Sequence, residues 1–481
     1  MTIRTSANLD EVFFPANVAV IGASPTEFYT LALLQSKMRD HLYLVNPNYK
    51  ELHGRKCYAS VLDIEGPVDY VIFDLPTRMV TKVARECVQK GVKVIHSFSS
   101  GFSETGLQEG IDLEKELVSI IKGKIRMIGP NCMGIYCPKS GLSFNPMATN
   151  IEGNIGVIAQ SGTFAQLFVH MGRTRNVKIS KLVSYGNAID LNCPDFLEYL
   201  ADDPDTRVIA IYIEGIKDGR RLMSALEYAA ARKPVIALKG GVTDQGGRVA
   251  SSHTGSLAGS GLTWSTMFRQ AGVVQVDDID DLLDAAIALS QSAPPSGKGV
   301  SIITYSGGFG VVQSDMCIKA GLDVPKFSPQ AIRELRQFVP VTGTMVGNPL
   351  DAWQVYYHIR ENEPGLDDVL RIISGEKDIH SVILQLDIVK FMLPRWGVEF
   401  EKNFNIVVDR MMKGLAFARD KGKMAVVSNF LDPYTENEKE RQYNLQFKRR
   451  CEAEGFPVYG LLAAAVQTVA MAYRYTELKK H

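Results

Sequence analysis

The sequence predicts an α/β protein built from parallel sheets, because one local pattern occurs three times. A short apolar run ends in small residues, and an amphipathic stretch follows, at residues 18–24, 155–163 and 300–308. Each occurrence is typical of a buried parallel strand, a tight turn and the start of a helix. Between these openings, strand and helix patterns alternate, which predicts parallel sheets covered by helices.

The spacing of the three openings predicts the domain organisation. At roughly 150 residues per domain, the 481 residues predict about three domains. We expect these domains at residues 1–128, 129–290 and 298–481, with the Ser-, Pro- and Gly-rich stretch 290–299 as a linker. The same patterns predict strands at residues 68–73, 92–96, 208–213, 235–238, 382–386 and 424–428, and helices at 222–232 and 404–420.

Composition and charge exclude several classes of function. The 53 basic residues balance the 53 acidic ones, so neither nucleic acid nor an anionic membrane is an expected partner. No apolar stretch approaches the ~20 residues that span a bilayer, and the N-terminal residues lack the apolar core of a signal peptide. The seven cysteines form no C-x-x-C pair, which predicts free thiols in the reducing cytoplasm rather than a zinc or disulfide site.

Two of the openings predict phosphate-binding turns. Small residues at a helix N-terminus let an anion reach unpaired backbone N–H groups. The residues concerned are Ser161, Gly162, Thr163, Ser306, Gly307 and Gly308. Neither turn is a Walker A loop, since no G-K-[ST] occurs in the chain. A purely structural glycine turn is the alternative interpretation.

The first opening differs from a dinucleotide-binding fingerprint. Gly22 and Ser24 follow the strand, but Glu27 occupies the position of the third glycine. A nicotinamide-dependent dehydrogenase, one alternative function, is therefore disfavoured.

A histidine and a glutamate could carry the chemistry. His253 lies in the glycine-rich stretch 240–261, which we predict to be a long functional loop. Glu214 directly follows the apolar run 208–213, at the carboxyl end of a parallel strand, where ligand sites of α/β proteins form. A carboxylate can orient an imidazole and stabilise its cationic form. With the two turns, the pair suggests a phosphohistidine site; a solvated loop histidine and a surface acid remain the alternatives, and no metal site is predicted.

With these features the chain resembles the α subunit of the ADP-forming, or nucleoside-diphosphate-forming, acyl-CoA synthetases, and more distantly succinyl-CoA synthetase. The resemblance covers nearly the whole chain. The segments that carry it are SHTGSLAG at 252–259, IGPNCMG at 128–134, QSGT at 160–163, SYGN at 184–187, SGG at 306–308 and GNPLD at 347–351.

The resemblance implies an N-terminal Rossmann-like CoA-binding domain followed by two flavodoxin-like ligase domains. It implies the reversible reaction of acyl-CoA, ADP and phosphate to acid, CoA and ATP, through acyl phosphate and phosphohistidine intermediates. His253 matches the phosphorylated histidine, Glu214 matches the acid that steadies it, and the two turns match the phosphate site. The CoA contacts that it implies are Gly22, Ser24, Pro47, Lys56, Pro76, Ser99 and Asn131.

The resemblance also implies substrates and a partner. Coenzyme A, inorganic phosphate and ADP or ATP with Mg²⁺ are expected, the nucleotide mainly on a separate ATP-grasp β subunit in an α2β2 hetero-oligomer. In the family's turn after Ser24, glycine and a basic residue are common, whereas Glu27 here would repel a CoA phosphate. A non-catalytic CoA-binding regulatory or scaffold protein of the same fold is the remaining alternative.

Overall fold

The computed structural model describes residues 9–175, 177–254, 260–360, 362–429 and 436–480. These residues form two compact units, divided between Ala286 and Ile287. Within the described ranges, no helix is both long and apolar enough to cross a membrane. All seven cysteines are unpaired and buried.

The first sheet of unit one has seven strands. They are β1 (Val18–Ile21), β2 (Leu42–Val45), β3 (Glu51–Leu52), β4 (Arg55–Tyr58), β5 (Tyr70–Phe73), β6 (Val94–Ser97) and β7 (Arg126–Ile128). The helices in this part of the chain are α1 (Asp10–Phe13), α2 (Phe28–Leu34), α3 (Thr77–Lys90) and α4 (Gln108–Ile121). The strand order is β3-β4-β2-β1-β5-β6-β7, with only the β3–β4 pair antiparallel. Without β3, this is the strand order of a Rossmann fold.

The second sheet of unit one has six strands. They are β8 (Gly134–Tyr136), β9 (Ile155–Ala159), β10 (Ile179–Ser184), β11 (Val208–Ile213), β12 (Val235–Lys239) and β13 (Val274–Val276). The accompanying helices are α5 (Gly162–Thr174), α6 (Cys193–Asp202), α7 (Gly219–Ala230), α8 (Asp244–Thr254), α9 (Gly261–Gln270) and α10 (Ile279–Gln291). The order β13-β12-β11-β9-β10-β8 is the flavodoxin order with β8 added as an antiparallel edge strand.

Unit two contains a five-stranded sheet. Its strands are β14 (Val300–Thr304), β15 (Leu350–Asp351), β16 (Ser381–Gln385), β17 (Met424–Ser428) and β18 (Val458–Tyr459). Its helices are α11 (Gly307–Lys319), α12 (Pro329–Arg336), α13 (Trp353–Tyr356), α14 (Leu366–Ser374), α15 (Ile388–Trp396), α16 (Phe400–Asp420), α17 (Glu438–Ala453) and α18 (Leu462–Leu478). The parallel order β15-β14-β16-β17-β18 is again that of flavodoxin.

The fold class predicted from the sequence is confirmed. The strands β1, β9 and β14 are buried along their whole length, as apolar runs between two helical layers require. The helix α3 buries Val80, Val83, Ala84 and Cys87 on the face that its 3.6-residue period predicts. The stretch predicted as a linker begins later than expected, because α10 continues through Gln291. The domain limits inferred from the sequence stay a prediction.

The turn after β1 requires glycine for two physical reasons. Gly22 has φ +102°, and a Cβ atom on it would lie 1.9 Å from the carbonyl oxygen of Asp74. We expect Gly22→Ala to destabilise unit one by about 3 kcal/mol or more, since backbone strain and steric overlap add. Thermal or urea unfolding measures the loss. Gly54→Ala is the matched control, because Gly54 also has positive φ but has open space around it; equal losses in the two variants would contradict the steric argument.

Candidate functional site

Each predicted turn lies where the strand order of its sheet reverses. The strands β1, β9 and β14 each lie inside their sheet, and the strands that follow them in the chain are placed on both sides of them. Such reversals open a crevice at the carboxyl ends of the strands, where ligands bind in open α/β sheets. The turns at Gly22, Ser161 and Ser306 directly follow these three strands.

The Ser161 turn has the geometry of an anion site. Ser161 is the N-cap of α5, with extended backbone, and its Oγ accepts a hydrogen bond from the backbone N–H of Phe164 at 3.5 Å. The first N–H groups of a helix have no acceptor within the helix, so those of Gly162 and Thr163 can face a ligand. A Cβ atom on Gly162 would lie 2.9 Å from Met133 Cγ, so glycine also permits close packing here.

Gln160 joins the ends of β9 and β11. Its Oε1 accepts hydrogen bonds from the backbone N–H groups of Glu214 at 2.7 Å and Gly215 at 3.1 Å. Its own backbone N–H donates to the carbonyl of Tyr212 at 3.0 Å. The buried Glu214 is thereby fixed beside the Ser161 turn.

The surroundings of Glu214 are charged and aromatic. The hydroxyl of Tyr212 donates a hydrogen bond to Glu214 Oε1 at 3.0 Å. Burial, together with the charge and hydrogen bond of Glu214, raises the pKa of Tyr212, so the phenol remains a proton donor at neutral pH. Lys239, at the end of β12, lies over the Trp264 ring with Nζ 4.9 Å from the ring centroid. Burial lowers the pKa of Lys239 and the Glu214 carboxylate opposes that shift.

One cavity of about 310 Å³ brings several of the predicted residues together. It is lined by the Ser161–Thr163 turn, Glu214 and Asn131, with Phe98 and Asn187. Asn131, which has φ +57°, follows β7 of the first sheet, and its backbone N–H donates to the carbonyl of Ser99 at 3.0 Å. The cavity therefore joins the carboxyl edges of both sheets of unit one.

The other residues predicted to contact CoA lie along the carboxyl edge of the first sheet. They follow β1, β2, β5 and β6 or belong to β4, and they do not line the 310 Å³ cavity. They are Gly22, Ser24, Pro47, Lys56, Pro76 and Ser99. Pro47, Lys56 and Pro76 are exposed. The assignment of these contacts stays a prediction.

Glu27 is turned inward, toward the start of α2. Its Oε2 accepts a hydrogen bond from the backbone N–H of Thr30 at 2.8 Å, and its Oε1 accepts one from Tyr29. Burial raises the pKa of Glu27, against the lowering effect of the hydrogen bonds from Thr30 and Tyr29. Glu27 thus serves as the N-cap of α2. The repulsion of a CoA phosphate expected from this side chain stays a prediction.

The glycine-rich stretch is only partly a loop, which corrects the sequence prediction. The helix α8 covers Asp244–Thr254 and includes the backbone of His253 in its last turn. Asp244 in the first turn favours the helix, because a negative charge there complements the helix dipole. The side chain of His253 and residues 255–259 lie outside the described part of the chain.

The third turn belongs to unit two. Ser306 is the N-cap of α11 but makes no side-chain capping hydrogen bond. Burial raises the pKa of Asp351, whereas the backbone N–H groups of Trp353 and Gly307 lower it. An acid therefore lies beside the predicted anion site Ser306–Gly308. The phosphate-binding role of this turn stays a prediction.

Sequence reasoning assigned no role to several residues of the cavity. Phe98 follows β6 and carries no motif, whereas Met133, Gln160 and Asn187 lie within the segments that carry the family resemblance. For Met133, Gln160 and Asn187, their place in these segments was the signal that could have predicted a role in the site. In the described ranges, no group of three or more His, Cys, Asp or Glu side chains could hold a metal ion.

Comparison with protein families matches three parts of the chain. A CoA binding domain matches residues 16–138, a succinyl-CoA ligase like flavodoxin domain matches 152–289, and a ligase-CoA domain matches 300–448. The α subunit of ADP-forming acetate–CoA ligase II of Pyrococcus furiosus is 41% identical over 348 residues, which are 71% of this chain and 76% of that protein.

This chain belongs to the ADP-forming acyl-CoA synthetases. The resemblance seen in the sequence is thus confirmed. ADP-forming acetate–CoA ligase I of Archaeoglobus fulgidus is 38% identical over 349 residues, which are 71% of this chain and 50% of that protein. The synthetase chain therefore spans about half the length of some curated relatives and three quarters of the α subunit.

A solved synthetase supports the same relationship. Acetyl-coenzyme A synthetase 1 of Ca. Korarchaeum cryptofilum, in complex with phosphate and ADP, is 27% identical and matches with a TM-score of 0.82. The match covers 98% of each chain. The described fold thus corresponds to nearly the whole of that chain.

Proposed function

We propose that this synthetase chain is the α subunit of a reversible ADP-forming acyl-CoA synthetase, converting acyl-CoA, ADP and phosphate into acid, CoA and ATP. The observation that carries the proposal is the 310 Å³ cavity, where the Ser161 turn and Glu214 meet Asn131 from the CoA-binding part of the chain. The predicted phosphate-binding turn, an acid and one residue of the part of the chain that would bind CoA are therefore neighbours. Acetate is the first acid to test, because the two relatives described above are acetate–CoA ligases.

The first step forms an acyl phosphate. A phosphate oxygen attacks the thioester carbonyl, the C–S bond breaks, and CoA leaves as a thiolate that takes a proton. The backbone N–H groups of Gly162 and Thr163 would hold the phosphate oxygens and stabilise the charge that develops. Fixed amide donors need no reorganisation during the reaction, which is why a helix N-terminus suits this step.

In the second step the phosphoryl group moves to His253. The imidazole nitrogen attacks phosphorus, the P–O bond to the acyl group breaks, and the carboxylate leaves. Glu214 would hold the other ring nitrogen and so stabilise the cationic ring. Transfer from phosphohistidine to ADP, with Mg²⁺, then restores the neutral imidazole. For that last step we propose an ATP-grasp β subunit in an α2β2 assembly in the cytoplasm.

Turnover is expected to require the partner. The purified chain alone should make no ATP from acetyl-CoA, ADP and phosphate, whereas the chain co-purified with an ATP-grasp subunit should make it. A coupled assay for ATP, together with CoA release, measures this. Robust ATP synthesis by the chain alone would refute the partner requirement. CoA binding without CoA release in the complex would instead favour the regulatory alternative.

A further inference from the structure

Tyr212 lies two residues before Glu214 on the chain. In a strand, residues two apart share one face, and β11 ends between them at Ile213. The Tyr212 hydroxyl donates a 3.0 Å hydrogen bond to Glu214 Oε1, and Glu214 lines the 310 Å³ cavity. Hydrogen bonds to an ionised carboxylate are stronger than neutral ones and fix its orientation.

The ring of Tyr212 also contacts the helix that carries the phosphate-binding turn. It stacks on the ring of Phe164, in the first turn of α5, with centroids 3.6 Å apart and planes 9° apart. Phe164 is the residue whose backbone N–H bonds to Ser161 Oγ. One aromatic contact thus connects the Glu214 carboxylate with the start of α5.

A glycine leaves room for this pair. A Cβ atom on Gly240 would lie 2.7 Å from the Tyr212 hydroxyl oxygen and 3.4 Å from Glu214 Cγ. The backbone of Gly240 is held in place by a 2.9 Å hydrogen bond from its N–H to the carbonyl of Ile213. Gly240 begins the segment that leads into α8, the helix that includes His253.

We infer that Tyr212 is a positioning residue for phosphoryl transfer, acting through Glu214. Its hydroxyl sets the orientation of the carboxylate, and its ring holds that carboxylate in register with the amides of the Ser161 turn. The inference rests on the proposed function, in which Glu214 holds the imidazole of His253. Tyr212 itself touches no reacting atom in this scheme.

Tyr212→Phe tests the hydrogen bond, because it keeps the ring for stacking and removes only the hydroxyl. In the complex, we expect the rate of enzyme labelling by radioactive phosphate at saturating acetyl-CoA to fall about 10- to 100-fold, as for loss of a hydrogen bond to a charged group. The KM for acetyl-CoA should stay unchanged. Tyr228→Phe is the matched control, since it removes a 2.7 Å hydrogen bond between Tyr228 on α7 and Asp202 on α6, neither of which lines the cavity. The labelling rate of this variant should stay at the wild-type value.

A double-mutant comparison separates positioning from general structure. If Tyr212 acts through Glu214, Tyr212→Phe should cost little further rate in a Glu214→Gln background. An equal loss in both backgrounds, or no loss in the single variant, would overturn the inference. Absence of labelling in the wild-type complex would instead refute the proposed function.

Gly240→Ala approaches the same pair from the other side. The added methyl must displace the Tyr212 hydroxyl, so labelling should slow while KM stays constant. Gly219→Ala is its control, because no atom lies within 4 Å of the added Cβ. A wild-type labelling rate in Gly240→Ala would overturn the inference even if Tyr212→Phe failed to fold.

Discussion

Replacing His253 with alanine is expected to abolish labelling of the synthetase by radioactive phosphate in the presence of acyl-CoA. The reason is chemical: the proposed scheme has one nucleophilic nitrogen that accepts the phosphoryl group, and alanine has none. CoA binding and the unfolding transition should remain unchanged, because the edge proposed to bind CoA lies on the first sheet and α8 tolerates alanine well. Labelling followed by gel separation measures the effect directly.

His170→Ala supplies the control for this variant. His170 lies exposed on α5, the helix that follows the Ser161 turn, and the scheme gives it no role. Its variant should label at the wild-type rate. Undiminished, acid-labile and base-stable label in His253→Ala would show that another histidine carries the phosphate.

Glu214→Gln should keep the fold and slow labelling by ~10²–10⁴-fold, the range for loss of a positioned acid–base partner. The amide oxygen of glutamine can still accept the hydrogen bond from Tyr212, so packing is preserved. The charge is lost, however, and with it the stabilisation that we propose for the cationic imidazole ring. Burial would then lower the pKa of Lys239 without opposition from the carboxylate.

The rate of phosphoenzyme formation in rapid-quench experiments measures the effect of Glu214→Gln. Glu198→Gln is the control, since Glu198 on α6 pairs with Arg221 at 3.5 Å and does not line the cavity. A labelling rate within twofold of wild type in Glu214→Gln would contradict the role given to Glu214. A change that small is roughly what the loss of one surface ion pair would produce.

The sequence was sufficient to predict the three strand–turn–helix openings. Their signals are local: an apolar run buried on two faces, then glycine and serine at the turn, as at Ser161 and Ser306. The strand order was not predictable in the same way, because it depends on pairing between distant strands such as β1 and β5. The family resemblance supplied the Rossmann-like and flavodoxin-like expectations that the order confirmed.

The candidate site was predictable only where one residue carried the signal. Glu214 could be recognised because it directly follows an apolar strand. The stacking of Tyr212 on Phe164 could not, since 48 residues separate them in sequence and both read as ordinary core aromatics. The two rings come into contact only in the folded chain, where β9 and β11 pair.

Local composition misled the interpretation at one place. The glycines of the 240–261 stretch predicted a loop, but Asp244 and the residues after it form α8. There, hydrogen bonding of the local backbone outweighed the composition signal. The repulsion of a CoA phosphate by Glu27 stays a prediction, since its carboxylate lies at the start of α2, directly after the turn that follows β1.

Mapping the phosphorylated residue in the wild-type complex tests the central claim most directly. Trypsin cleaves after Arg248 and after Arg269, and the peptide between these two sites contains a single histidine, His253. After incubation with acetyl-CoA and phosphate without nucleotide, mass spectrometry under alkaline conditions should find this peptide carrying one phosphoryl group, and added ADP should remove it with formation of ATP. Phosphate on any other peptide, or CoA release with no phosphorylated peptide, would contradict the account.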